Sequence, residues 1–305
     1  MIVGVSHSGC TVSSLEQSLR FYGEALGIEH IRSQVTDQPY VALVTGFPGC
    51  SLKIGFARIE GDGVPFEVIE FVRPAGGRAH TGFGIAGSPH QCWQVDNLPA
   101  TCRRLSQAGA SFCAEEPHLL VDGPWGDAQS AFLRDPDGLL LELIELPGHR
   151  NGPGRLVRMH HFGLTVSDLD RAIEVLCNQL GLEENSRYHG DSVYLRHHAH
   201  LEDNRIRAAT LLIPETEVFI ELWEFHTPSG PPADMAINNV ASAHFCFLVD
   251  DIMAEHASLS ERGAQFIGTP AEVTAGVNRG ARAVYLMGPD NIRFELYQKP
   301  VVSAT

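Results

Sequence analysis

The sequence predicts an α+β chain of two tandem domains, made of four βαβββ modules that pair into curved mixed sheets around a shared cleft. Three observations predict it. First, His7 and His90 stand 83 residues apart, as do His161 and His244, and an interval of 154 carries His7 onto His161, Glu67 onto Glu221 and His90 onto His244. An interval of 153 carries Glu142 onto Glu295. Second, helical stripes recur at that interval. Third, a turn-bounded, β-rich stretch follows each stripe.

The elements follow in order. Short β-like segments carrying a His open each module, over Gly4–Val12, His90–Val95, His160–Val166 and His244–Val249. Leu15, Leu19, Tyr22 and Leu26 then lie on one helical face, opened by Ser13-x-x-Glu16 and closed by Gly27. Their counterparts are Leu169, Ile173, Leu176 and Leu180, after Ser167-x-x-Asp170 and before Gly181. Leu98, Leu105 and Gly109 match Ile252, Leu259 and Gly263, so four helices are expected. Strands are expected at Phe66–Phe71 and Val218–Trp223, and hairpins turn through Asp135-Pro136-Asp137-Gly138 and Gly288-Pro289-Asp290-Asn291. The turn-rich run from Pro147 to Gly154 reads as a linker, giving domain 1 over 1–147, a linker over 148–156, domain 2 over 157–300 and a tail over 301–305.

A sheet of three or four strands with one helix leaves a face uncovered, so modules should pair around a shared cleft. Each module brings a His on its first strand and a Glu on its last. Pairing within a half would group His7, Glu67, His90 and Glu142, whereas crosswise pairing would group His7 and Glu67 with His244 and Glu295. The sequence leaves both open.

Composition narrows the function. The 305 residues are 44% hydrophobic, enough for sizeable cores, and the net charge of −15 opposes binding to nucleic acid or an anionic membrane. Seven cysteines form no Cys-x-x-Cys pair and no apolar run is long enough to span a bilayer, so the chain is expected to be cytoplasmic with reduced thiols. The His and Glu sets suit divalent transition ions with positions left for exchangeable oxygens.

The paired modules, the His-x4-Val openings at His7 and His161, and Asp-Pro-Asp-Gly before the strand with Glu142 resemble the vicinal oxygen chelate superfamily of glyoxalases, epimerases, extradiol dioxygenases and bleomycin-binding proteins. The resemblance implies metal ligands His7, Glu67, His90, Glu142, His161, Glu221, His244 and Glu295, with up to two ions of Fe, Ni, Co, Mn or Zn per chain. It also implies a small-molecule substrate and a monomer or homodimer. Glu67 and Glu221 would double as general bases, since a weakly held carboxylate can leave the metal and take a proton. Glu70 and Glu224, three residues on, are the alternative fourth-strand ligands; the identical His–Glu and Glu–His intervals in both halves favour Glu67 and Glu221.

Lyase or isomerase chemistry through an enediolate is the favoured reading, with an Fe(II) dioxygenase and a metal-free binding protein as alternatives. The dioxygenase pattern is incomplete: Asn278 stands where a further His is expected, and Phe132 replaces a Tyr. The segment that lactoylglutathione lyases use for glutathione is missing from both halves. Beside these residues, His197-His198-Ala199-His200 reads as a solvated loop and His160 as facing away from His161 across the strand. Trp93, Trp125 and Trp223 read as core, and Cys92 and Cys246 as small packing residues.

Overall fold

The computed structural model describes residues 1–61, 63–115, 118–119, 124–148, 152–190, 197–201 and 205–300. Part of the linker, the tail, Arg196, Glu202 and Asp203 lie outside these residues. The first module is β1 (Ile2–Thr11), α1 (Leu15–Arg20), β2 (Glu29–Thr36), α2 (Pro39–Thr45), β3 (Ser51–Arg58) and β4 (Phe66–Arg73). The second is β5 (Pro89–Val95), α3 (Leu98–Gln107), the short β6 (Ser111–Phe112) and β7 (His118–Leu119), β8 (Gln129–Arg134) and β9 (Leu140–Glu145). The third is β10 (Leu156–Val166), α4 (Leu169–Leu180), β11 (Glu183–Gly190), β12 (Ile206–Leu212) and β13 (Phe219–Phe225). The fourth is β14 (Ala243–Val249), α5 (Ile252–Glu261), the short β15 (Gln265–Phe266) and β16 (Ala271–Glu272), β17 (Arg282–Met287) and β18 (Arg293–Gln298).

Pairing is crosswise. β1 lies antiparallel to β14 and β10 antiparallel to β5, so one nine-stranded sheet joins the first module to the fourth and the other joins the second to the third. Within each module the last strand runs parallel to the first, β4 beside β1 and β13 beside β10. Each sheet buries one face in a common core, where Phe162 of one stacks on Phe245 of the other at 5.1 Å and Trp93 meets Phe66 and Tyr22. Such rings bury large apolar areas and join the sheets more firmly than any single polar contact. The opposite, concave faces carry the His and Glu side chains.

The helix starts differ from expectation by one residue. Ser14, not Ser13, caps α1 by accepting from Gln17 N, and Asp168, not Ser167, caps α4 by accepting from Arg171 N. The preceding serines dock the module to its neighbour: Asp137 Oδ2 accepts from Ser13 N, and Asp290 Oδ2 from Ser167 N, both at 2.8 Å. The Asp-containing turns thus serve as clamps between tandem modules. α1 runs on into a π-helical turn over Phe21–Ala25 before Gly27 takes a φ of +76°. A helix absent from the expected four, α2, starts on Pro39 and ends at Gly46 with φ +75°.

One repeated contact explains the second glutamate on the fourth strands. Glu70 accepts from Leu15 N at 2.9 Å, Glu224 from Leu169 N at 2.7 Å, Glu145 from Leu98 N at 2.6 Å, and Gln298 from Ile252 N at 2.9 Å. In each module a last-strand side chain holds the helix start, where free N–H groups and the helix dipole favour an acceptor. Glu70 also pairs with Lys53, and Glu224 with Arg207. Glu67 and Glu221 point into the concave faces.

Candidate metal centres

The crosswise sheets gather the eight residues into two sets of four. His7, Glu67, His244 and Glu295 offer ligand atoms that all lie within 4.8 Å of one another, and so do His90, Glu142, His161 and Glu221. Strand register produces this. β1 sets His7 opposite Cys246 and Gly9 opposite His244; β10 sets His161 opposite Cys92 and Gly163 opposite His90. Two neighbouring strands therefore each give one imidazole to the same point.

The glycines make the approach possible. A Cβ on Gly9 would stand 2.3 Å from His244 Cε1, and one on Gly163 would stand 1.9 Å from His90 Cε1. Any side chain there would take the space of the ring. Gly9 and Gly163 are themselves 154 residues apart.

The donor atoms fit a metal ion. His7 and His244 bring their Nε2 atoms to 3.3 Å, and His90 and His161 to 3.2 Å. Glu295 Oε2 lies 3.1 and 3.6 Å from the first pair, and Glu221 Oε2 3.7 and 3.2 Å from the second. Both oxygens are buried and accept no hydrogen bond among the described residues. A tetrahedron with bonds of about 2.1 Å has edges of about 3.4 Å, so these separations suit four ligands around one ion. A mixed nitrogen and oxygen set suits the first-row transition ions.

Electrostatics point the same way. Burial would raise Glu67, but the adjoining His7 and His244 hold its carboxyl down at about 2. Burial would lower His161, but the adjoining Glu221 and Glu142 carboxylates, each 3.2 Å away, raise it to about 9. Each set thus holds buried carboxylates against protons that an ion would replace.

A neighbour turns each first-strand imidazole. Ser6 Oγ lies 3.2 Å from His7 Nδ1, and His160 Nδ1 lies 2.9 Å from His161 Nδ1. His160 was expected on the far strand face, but the register shift between Met159 and His161 brings both rings to one side. Burial, with the charges of His161 and Arg158, pushes His160 down to about 2, so it stays neutral and accepts from His161. Holding Nδ1 would leave Nε2 free to ligate an ion.

The two sets differ in access. Side chains of the first are 4–12% exposed, those of the second 1–3%. The first opens on a cavity of about 80 Å³ lined by His7, Glu67 and Glu295 together with Gln34, Val44, Ile69 and Asn278. At the corresponding places around the second set the sequence carries Tyr188, His198, Trp223 and Trp125. These are larger. Trp125 stacks parallel to His161 at 6.3 Å, Trp223 lies 4.9 Å from His90, and Tyr188 donates to Glu221. His198, expected in a solvated loop, sits in a helical turn and is buried against Phe132. Trp93 and Trp223 are core, and Trp223 and the partly buried Trp125 also pack against the imidazoles of the second set.

Known proteins agree with this architecture. Two profiles described as glyoxalase/bleomycin resistance protein/dioxygenase superfamily match residues 4–143 and 160–285, one in each half. The chain belongs to that superfamily. Among relatives of this superfamily member, a probable lactoylglutathione lyase of Vibrio parahaemolyticus is 28% identical over 147 residues, covering 46% of this chain and 89% of its own. An uncharacterised Bacillus subtilis protein, YwbC, is 31% identical over 143 residues, covering 47% and 98%. In fold, glyoxalase I from Zea mays superposes with a TM-score of 0.64 at 16% identity, covering 97% of this chain and 92% of that one. A putative dioxygenase from Bacillus subtilis gives 0.66 at 17% identity, covering 98% and 86%. Among the described residues no helix is long and apolar enough to cross a membrane.

Proposed function

We infer that the chain is a divalent-metal-dependent lyase or isomerase acting on a small molecule with adjacent oxygens, and that its substrate site is the set His7, Glu67, His244 and Glu295. The observation that carries this reading is the cavity, which meets three of those four ligands. Relatives named as probable lactoylglutathione lyases support the reaction class. The set His90, Glu142, His161 and Glu221 would hold a second ion, ringed among the described residues by Tyr188, Trp125 and Trp223.

The ion would supply a Lewis acid for the negative charge that develops on adjacent oxygens when a C–H bond beside a carbonyl breaks. The protein supplies position and a base. His7 and His244 sit on paired strands at the sheet centre, so their geometry is fixed by the backbone. Glu67 lines the cavity and keeps 3.5–3.6 Å from both imidazoles, which suits a carboxylate that exchanges toward substrate and takes its proton. Its low pKa comes from the adjoining His7 and His244, and a carboxylate that lets go of the ion is the one free to take a proton. The apolar walls exclude water from the carbanionic carbon.

The test combines elemental analysis with solvent deuterium exchange into small α-hydroxyketones. Two ions per chain, both lost in His90→Ala with His244→Ala, and exchange abolished by Glu67→Gln but kept by Glu221→Gln, are expected. Exchange that survives Glu67→Gln refutes the assignment, and bound iron with oxygen uptake would transfer it to oxidative chemistry.

A further inference from the structure

One cation stands over the substrate cavity without an acid to neutralise it. Arg32, on β2, lays its guanidinium over the ring of Phe56 at 4.9 Å, and Phe56 lines the cavity. Strand register puts Arg32 opposite Phe56 and Phe56 opposite Glu67, so the three form a row across the sheet that ends on the ligand set. At about 4.8 Å between strands, the Arg32 backbone stands about 10 Å from that of Glu67. Its Nε is buried and has no hydrogen-bond partner, and no carboxylate pairs with it among the described residues. In a chain with 37 acidic and 22 basic residues, a half-buried arginine left unpaired is a group kept for something else.

The rest of the cavity is neutral. Apart from the ligands, its lining holds no charged side chain; its polar groups are amides and hydroxyls such as Gln34, Asn278 and Tyr40, set among apolar side chains. At the second ligand set the place of Arg32 is taken by Ser186, whose hydroxyl is spent on Thr210 at 2.8 Å. The cation therefore accompanies the first set and not the second.

We propose that Arg32 binds the anionic end of the substrate, which is a molecule with two adjacent oxygens at its head, a short apolar middle and a single carboxylate at its tail. The head meets the metal, the middle lies along Phe56, and the tail reaches the guanidinium, whose planar fork matches a carboxylate. An uncharged tail would leave the guanidinium unpaired. A second negative charge within the neutral walls would be buried without a partner. This inference rests on the assignment of His7, Glu67, His244 and Glu295 as the substrate site.

The test uses cobalt(II)-loaded full-length protein and reads the visible spectrum of the ion as hydroxamates bind. The probes are the monohydroxamates of succinic, adipic and suberic acids, each against a neutral isostere with an isopropyl group in place of the carboxylate. At one chain length the carboxylated probe should bind about tenfold more tightly than its isostere, the worth of one charge-assisted hydrogen bond. Arg32→Gln should erase that preference while neutral probes bind as before, and Arg32→Lys should restore part of it. The spectral response should vanish in His244→Ala and persist in His90→Ala. Neutral isosteres that bind as tightly as the acids at every length overturn the proposal, as does a preference that survives Arg32→Gln or a Gln variant that loses both probe types alike. Failure to bind cobalt at all would instead overturn the metal site, and this inference with it.

Discussion

Replacing Gly9 or Gly163 by alanine should disable one metal centre at a time. The added Cβ of Gly9→Ala would lie 2.3 Å from Cε1 and 2.6 Å from Nε2 of His244. Carbon atoms pack no closer than about 3.5 Å without cost, so the ring must retreat by about 1.2 Å. For Gly163→Ala the starting distance to His90 Cε1 is 1.9 Å and the retreat about 1.6 Å. Metal–ligand bonds tolerate about 0.2 Å, so either shift removes the imidazole from the ion. Loss of an orienting neighbour alone costs 10–100-fold in affinity; losing the ligand should cost at least about 100-fold, or about 2.7 kcal/mol. Competition with a chelator of known affinity, followed by elemental analysis, measures it. Gly9→Ala should keep one tight ion and lose catalysis, Gly163→Ala should keep one tight ion and catalysis, and Gly63→Ala, whose Cβ meets nothing within 4 Å, should keep both ions. Two tight ions in Gly9→Ala would refute the claim that β1 must be bare beside His244.

Metal uptake should release protons. With His161 raised to about 9, an ion entering at pH 7 must displace about one proton there, so apparent affinity should climb with pH and level off above about 9. Calorimetry in buffers of different ionisation enthalpy measures the release, and buffer-independent heats would contradict it. In the metal-free protein the same raised pKa adds stability in full below 6.5 that is lost as pH rises through about 9, so the denaturant midpoint of the metal-free protein should fall across that window. Chelation should lower the thermal midpoint, because an ion at 100 times its Kd adds about 2.7 kcal/mol per site, and His90→Ala should remove only one of the two contributions. Trp125→Asn together with Trp223→Ile, which copies Asn278 and Ile69, should open the second site to acetohydroxamate at a stability cost of at most about 3–5 kcal/mol per tryptophan. An unchanged spectrum of cobalt at that site on adding the hydroxamate would show that these rings do not close it.

The repeat made much of this legible. Because ligand, strand and helix recur together, intervals of 154 and 153 residues pointed to both His and Glu sets and to the modules that carry them. The choice between crosswise and in-half pairing was hidden, since both use the same residues and only strand register separates them. Gly9 and Gly163 were visible as a matched pair, yet their meaning depends on which strand lies opposite. His160 was misplaced by simple strand alternation, because a bulge spends one residue without changing face. The helix α2 had its signals in Pro39 and Gly46, and Arg32 gave none, as an unpaired charge exists only relative to its neighbours in space. The serine expected to cap each helix and the residue that does are adjacent and both competent; the aspartates of a distant turn decide between them.

Crosswise pairing also orders the birth of the molecule. The strand Ile2–Thr11 leaves the ribosome long before its antiparallel partner Ala243–Val249. Until then that edge is open, and neither half by itself contains a complete ligand set. The middle sheet, whose strands β5 and β10 are neighbours in the chain, can assemble early and serve as the floor on which the outer sheet closes. Two copies of a half-length chain could make the same contacts between them, so the tandem arrangement converts a concentration-dependent encounter into a loop closure within one polypeptide.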